Sequence, residues 1–286
     1  MERLTAPDST SVGLTRLGRD AQASVDELGP LASLVGTWMG TRGYELIAVP
    51  TESSGKEGFR LIVRPYVEII TFSPLGAPIP DRGGPAGDML LTGLFYDIRI
   101  TDLETNEPLH FENGMWLYLG EGAAHPIARL ASIPHGDVLL AMGTATTADG
   151  PPDIPSISGV PHPIEGAPLG YADAYQVPVG AFHPWSPNDV LREAISAKKI
   201  VQTVTLGGST HIGGGLVNIP FVAKNANATA FSCTYWVETV VDTTTGDRVQ
   251  QLQYSQQTDI DFIPQFKNPH ELITWPHVNV NTLLKQ

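Results

Sequence analysis

From Thr37 to the C-terminal end, apolar residues come in short runs rich in β-branched and aromatic side chains, broken at hairpin intervals by Gly, Pro, Asn and Asp. Runs of this length and spacing suit antiparallel strands joined by tight turns. The expected strands are Thr37 to Val49, Phe59 to Pro65, Val67 to Phe72, Met89 to Asp102, Gly114 to Leu119, Ile127 to Ile133 and Val138 to Thr146. After an interruption come Ile200 to Leu206, Ala230 to Asp242, Arg248 to Asp261 and Val278 to Leu284. Asp102-Leu103-Glu104-Thr105-Asn106 and Asp242-Thr243-Thr244-Thr245-Gly246-Asp247 read as hairpin turns between adjacent runs. A single all-β domain can reach the length of this chain, 286 residues.

Two segments depart from the strand pattern. Residues 1–29 are polar and aperiodic and read as an N-terminal arm, with Ser24-Val25-Asp26-Glu27 as a capping box for a short helix through Val35. Residues 149–187 are rich in Pro and Gly and too long for an ordinary connection. The aromatics within them (Tyr171, Tyr175, Phe182 and Trp185) suit a packed lid over one opening or flank that controls ligand access. A helix follows, with Ser186 as N-cap, Pro187 at its first position and an end near Lys198-Lys199. The expected organisation is an arm over 1–29 and one barrel over 30–286, with an insertion over 149–199 and a further one over 207–227.

Charge and cysteine content narrow the functions. With Lys+Arg 17 against Asp+Glu 30, the net charge of −13 offers no basic stripe for nucleic acid. A single cysteine excludes an internal disulfide and a thiolate metal cluster, and Cys233 reads as a buried strand residue. No stretch has the length and apolarity of a membrane-spanning helix, and no leader pattern opens the chain, so a cytoplasmic location is expected. The sequence has no Gly-x-Ser-x-Gly elbow and no His-Glu-x-x-His zinc motif. Cys-x-x-Cys-His is absent too, so any haem would be held non-covalently. His211, in a Gly-rich stretch, is not followed by the Gly-Lys-Ser/Thr of a phosphate loop.

Three stretches carry a family resemblance. Gly36-Thr37-Trp38-Met39-Gly40 resembles the opening Gly-Thr-Trp-x-Gly strand of the nitrobindins, haem-binding barrels related in shape to fatty-acid-binding proteins. Leu109-His110-Phe111-Glu112-Asn113-Gly114-Met115-Trp116 is similar to their Met-His-x-Glu-x-Gly-aromatic segment. Trp275-Pro276-His277, followed by Leu283-Leu284-Lys285, is similar to their terminal Pro-His-Leu segment. The chain departs from the family by lacking Tyr-Pro-x-Ile after the first strand and by its greater length. The resemblance implies an antiparallel calycin-like β-barrel with a b-type haem and His277 as axial ligand to its iron. It also implies that His110 and Leu109 line the opposite, distal side, with His110 the candidate catalytic group.

On residue type alone, two readings of His277 stay open: a rim histidine bonded to a carbonyl, and a ligand whose approach Pro276 restricts. His110 is equally open to a strand-end reading after Asn106-Glu107-Pro108, and His135, in Ile133-Pro134-His135-Gly136, reads as a solvated turn residue. By resemblance, ferric haem would handle nitric oxide or isomerise peroxynitrite. The alternative is a haem-free barrel that carries or transforms a hydrophobic small molecule. Expected partners are a small hydrophobic or diatomic ligand, with neither nucleic acid nor membrane, and a homodimer is left open.

Overall fold

A computed structural model describes residues 25–53, 56–83, 87–163 and 170–286. Most of the N-terminal arm, with Ser24 of the expected capping box, lies outside the described residues. The strands are β1 (Gly36–Ser53), β2 (Lys56–Pro74), β3 (Ile79–Arg82), β4 (Asp88–Asp102), β5 (Pro108–Tyr118) and β6 (Ile127–Ile133). They continue with β7 (Asp137–Asp149), β8 (Lys199–Asn218), β9 (Asn227–Val241), β10 (Arg248–Pro264) and β11 (Leu272–Lys285). Chain neighbours pair antiparallel from β4 round to β11, β11 pairs with β1, and β2 pairs with β4. An antiparallel ring of 10 strands results, with short β3 extending β4 outside it. Closure leaves the ring no free edge for unwanted pairing.

The expected strands Phe59 to Pro65 and Val67 to Phe72 are one strand, β2. Pro65 is tolerated because it lies beside the register shift between Gly40 and Gly43, where the β1–β2 ladder is already broken. Gly43 is required there, since a Cβ would sit 2.1 Å from the Tyr66 ring. A larger correction falls on 207–227, expected as an insertion. Its first part completes β8 against β7 and β9, and its second forms a short helix, α2 (Pro220–Asn225). β7 and β8 approach closely at two points: a Cβ on Gly143 of β7 would lie 1.8 Å from the Gly207 carbonyl oxygen, and one on Gly214 of β8 would lie 2.0 Å from the Leu140 carbonyl oxygen.

One end of the barrel is packed solid. A 3₁₀ helix over Gly29–Leu34 plugs it, burying Leu31 and Leu34, and the Trp38 indole N–H donates to the Leu34 carbonyl at 2.7 Å. Trp116, Tyr96, Phe72, Tyr235 and Tyr254 fill the interior above this plug.

The Pro/Gly-rich segment covers a flank. Tyr175, Phe182 and Ile154 pack on Leu46, Ala48, Trp236, Val278 and Val280, and Tyr44 stacks on Phe182 with ring centroids 5.0 Å apart. Trp236 alternates in β9 with Tyr235, which belongs to the interior cluster, so Trp236 presents a broad apolar surface on the outer face that needs covering. The helix after this segment, α1 (Asp189–Ile195), is shorter than expected and starts after Asn188. Ser186 does not cap it: its hydroxyl donates to the Asp189 carboxylate at 2.9 Å, while Asn188 Nδ2 holds the Pro155 carbonyl at 2.8 Å. Interactions with the insertion thus replace end-capping.

Candidate functional site

The end opposite the plug holds a cavity of about 280 Å³. Ile47, Ile100, Leu109, Leu139, Leu216 and Ile260 give it apolar walls, and Val222 and Ala226 at α2 border it. His110, His135 and His277 line it together with Glu45, Glu112 and Asp137. No described residue of 149–199 lines it. A larger, more open groove of about 580 Å³ lies beside α1, but none of Leu109, His110 and His277 reaches it.

Local backbone features place these side chains. Leu109 and His110 are consecutive, yet both line the cavity, because the β4–β5 ladder shifts register between Ile100, paired with His110, and Thr101, paired with Pro108. A bulge of this kind breaks the in–out alternation of a strand. Gly114 has a similar role deeper down: a Cβ there would lie 2.8 Å from the Tyr96 hydroxyl and 2.0 Å from the Leu130 carbonyl. Its absence lets Tyr96 approach Glu112, a physical reason for the Glu-x-Gly spacing.

Glu112 is the hub of a buried network. Arg129 Nη2 donates to its Oε1 at 2.6 Å and the Tyr96 hydroxyl at 2.5 Å, while Oε2 lies 3.2 Å from His110 Nε2. Arg129 is fully buried, with Tyr96, Trp116, Phe231 and Tyr235 all within 5.8 Å of its guanidinium carbon. Burial alone would raise the Glu112 carboxyl, but the Arg129 charge and the His110 contact bring it down to about 2. His135, expected in a solvated turn, is exposed but bonded: its Nε2 lies 3.1 Å from His110 Nδ1.

His277 stands on β11, and its Nε2 is 3.1 Å from Glu45 Oε1 on β1. Burial opposes charge on Glu45, and the His277 bond and then the charges of His277, His110 and His135 more than offset it, lowering its pKa. Thus Leu109, His110 and His277, singled out from sequence, converge on one cavity, and Glu45, Glu112, His135 and Asp137 join them there, while Arg129 acts on it from behind through Glu112. The signal for Arg129 is a lone cation inside the apolar run Ile127 to Ile133.

Glu68 is buried in the barrel, with Oε2 accepting from Tyr254 at 2.8 Å and Asn281 at 2.7 Å, and Oε1 without a partner. Burial is the largest effect on it, pushing its carboxyl up from 4.5 to about 7 despite those two bonds. The folded protein therefore binds this proton more tightly than the unfolded chain. Stability is unaffected by this group below pH 4.5, falls as pH rises towards 7, and stays lower above it. Glu68→Gln should raise stability at pH 8 by about 3 kcal/mol and flatten this dependence, as read by urea unfolding at pH 4.5 and pH 8.

Residues 27–152 match the family model of the THAP4-like, heme-binding beta-barrel domain. Over that stretch the chain is similar to the nitrobindin-like, haem-binding barrels. The match includes Trp38, Leu109, His110, Glu112, Gly114 and Arg129, whereas His277 lies beyond it. Among solved structures, the chain is similar to the crystal structure of Rv2717c from M. tuberculosis, with 17% identity, 93% of this chain and 99% of that chain covered, and a TM-score of 0.46. A search of curated proteins finds no match. Among the described residues, no helix is long and apolar enough to cross a membrane.

Proposed function

We propose that the cavity binds b-type haem with His277 as the axial ligand. The observation that carries this reading is the position of His277: an imidazole on the wall of a largely apolar cavity whose lining also includes His110 and His135. Among the described residues, no three His, Cys, Asp or Glu side chains are arranged to hold a bare metal ion. A porphyrin supplies its own equatorial donors, so one imidazole suffices. The donor set therefore fits haem.

Two adjustments go with that fit. The cavity, at about 280 Å³, lies just below the range of ligand pockets, roughly 300–1,000 Å³. The bordering helix α2 contains no buried residue, so it is the part of the wall with least packing to lose if the mouth widens. Glu45 must also yield His277 Nε2. Ferric haem bound there would supply a centre for nitric oxide or peroxynitrite chemistry, and Leu109 and His110 would line the cavity around it. The Glu45–His277 contact also favours a second reading, in which the cavity takes a hydrophobic small molecule without haem and its carboxylates and imidazoles supply acid–base chemistry.

Hemin added to the apoprotein should raise its melting temperature, because a ligand at 100 times its Kd stabilises by about 2.7 kcal/mol. Calorimetry with and without hemin measures this. An unchanged transition in excess hemin would favour the second reading.

A further inference from the structure

We infer that the solvent-exchanging acid–base group of this cavity is His135, and that His110 positions it. The proposal rests on the cavity being a ligand site. It starts from Glu112, an ionised acceptor anchored by Arg129. Facing such a carboxylate, His110 Nε2 must carry the hydrogen of their 3.2 Å contact. The Nδ1 of neutral His110 then has only a lone pair to offer, and His135 Nε2, 3.1 Å away, must donate to it.

Both nitrogens of His110 are thereby used within the protein. His135 Nδ1 is left, with no hydrogen-bond partner among the described residues, on an exposed side chain that also lines the cavity. In the neutral chain of contacts it is a base. A proton taken up there makes it a donor, and the same proton can pass to a cavity ligand or back to water, with no electron moved. Alternatively the protonated His135 keeps the new proton on Nδ1 and hands its Nε2 proton to His110 Nδ1, which leaves His135 neutral and puts the imidazolium on His110, facing the Glu112 carboxylate.

The charged and titratable groups around this pair are Glu45 on β1, Glu112 on β5, Asp137 on β7 and His277 on β11. Burial first, then the neighbouring His110 and His277 charges, lower the pKa of His135, while Glu45 acts in the opposite direction. His135 belongs to the turn entering β7, and the adjoining Gly136 carbonyl accepts from Ile219 N–H at 2.8 Å, tying this turn to the entry of α2.

The test is nitrogen NMR of the histidine side chains in apoprotein, where haem has no part. His135 should be the Nε2–H tautomer, and His110→Leu, which keeps the fold by circular dichroism, should shift its tautomer ratio by roughly fivefold, the worth of one net hydrogen bond. A His135 that is mainly Nδ1–H, or whose ratio does not move in His110→Leu, would overturn the proposal. A second arm uses diethyl pyrocarbonate, which needs a free imidazole lone pair. His135 should react before His110, His110 should gain reactivity in His135→Leu, and hemin, where absorbance confirms its binding, should protect His135. Equal reactivity of His110 and His135 in the native protein, or no protection by bound hemin, would overturn it too. Absence of hemin binding would refute the haem reading while leaving the tautomer result to decide this one.

Discussion

Arg129→Met should destabilise the protein by about 3–5 kcal/mol at pH 7, because it leaves Glu112 buried beside no cation. Arg129 and the Glu112 side chain are 0% and 3% exposed, so water cannot replace the lost partner. The pH dependence has a definite sign. Glu112 is held at about 2 when folded against 4.5 when free, so its pairing stabilises fully above pH 4.5 and is lost as pH falls towards 2. The gap between native protein and variant should therefore narrow in acid. Urea unfolding at pH 7 and pH 3 checks both points, and a loss below 1 kcal/mol at pH 7 would mean that the pair is not the anchor described here.

Trp38→Ala should cost a comparable amount, about 3–5 kcal/mol. Trp38 is fully buried at the plugged end, bonded to the Leu34 carbonyl, with the Lys285 ammonium 5.2 Å from its ring centroid. Truncation empties the contact between the plug, the first strand and the last. Calorimetric unfolding measures it, and the far-ultraviolet spectrum should stay β-like. Unchanged stability would mean that the plugged end does not depend on this indole.

Much of the barrel was legible in the strand runs because each strand carries its own alternation and its own turn signals. What escaped has physical causes. In β8 the glycines of 207–215 remove the alternating side chains that mark a strand, and at Gly214 a Cβ would lie 2.0 Å from the Leu140 carbonyl oxygen. The site itself was only half legible. His110 and Leu109 stood out by resemblance, but the bulge that turns both inward depends on pairing with β4, which no local pattern records. His135 looked solvated because a turn histidine usually is; its bond to His110 joins the β6–β7 turn to strand β5, 25 residues apart in the chain. Arg129 and Glu68 did leave a mark, each a lone charge within an otherwise apolar strand run. Such a charge either faces outward or has a buried partner, and only the register distinguishes the two.

The most direct measurement of the central claim is hemin titration of the native protein and of His277→Gly, followed by the Soret absorbance, with free imidazole then added to the variant. Axial ligation by His277 requires a saturable Soret band in the native protein, its loss or marked shift in His277→Gly, and its recovery when imidazole fills the vacated position. An identical band in both proteins, indifferent to imidazole, would contradict ligation by His277.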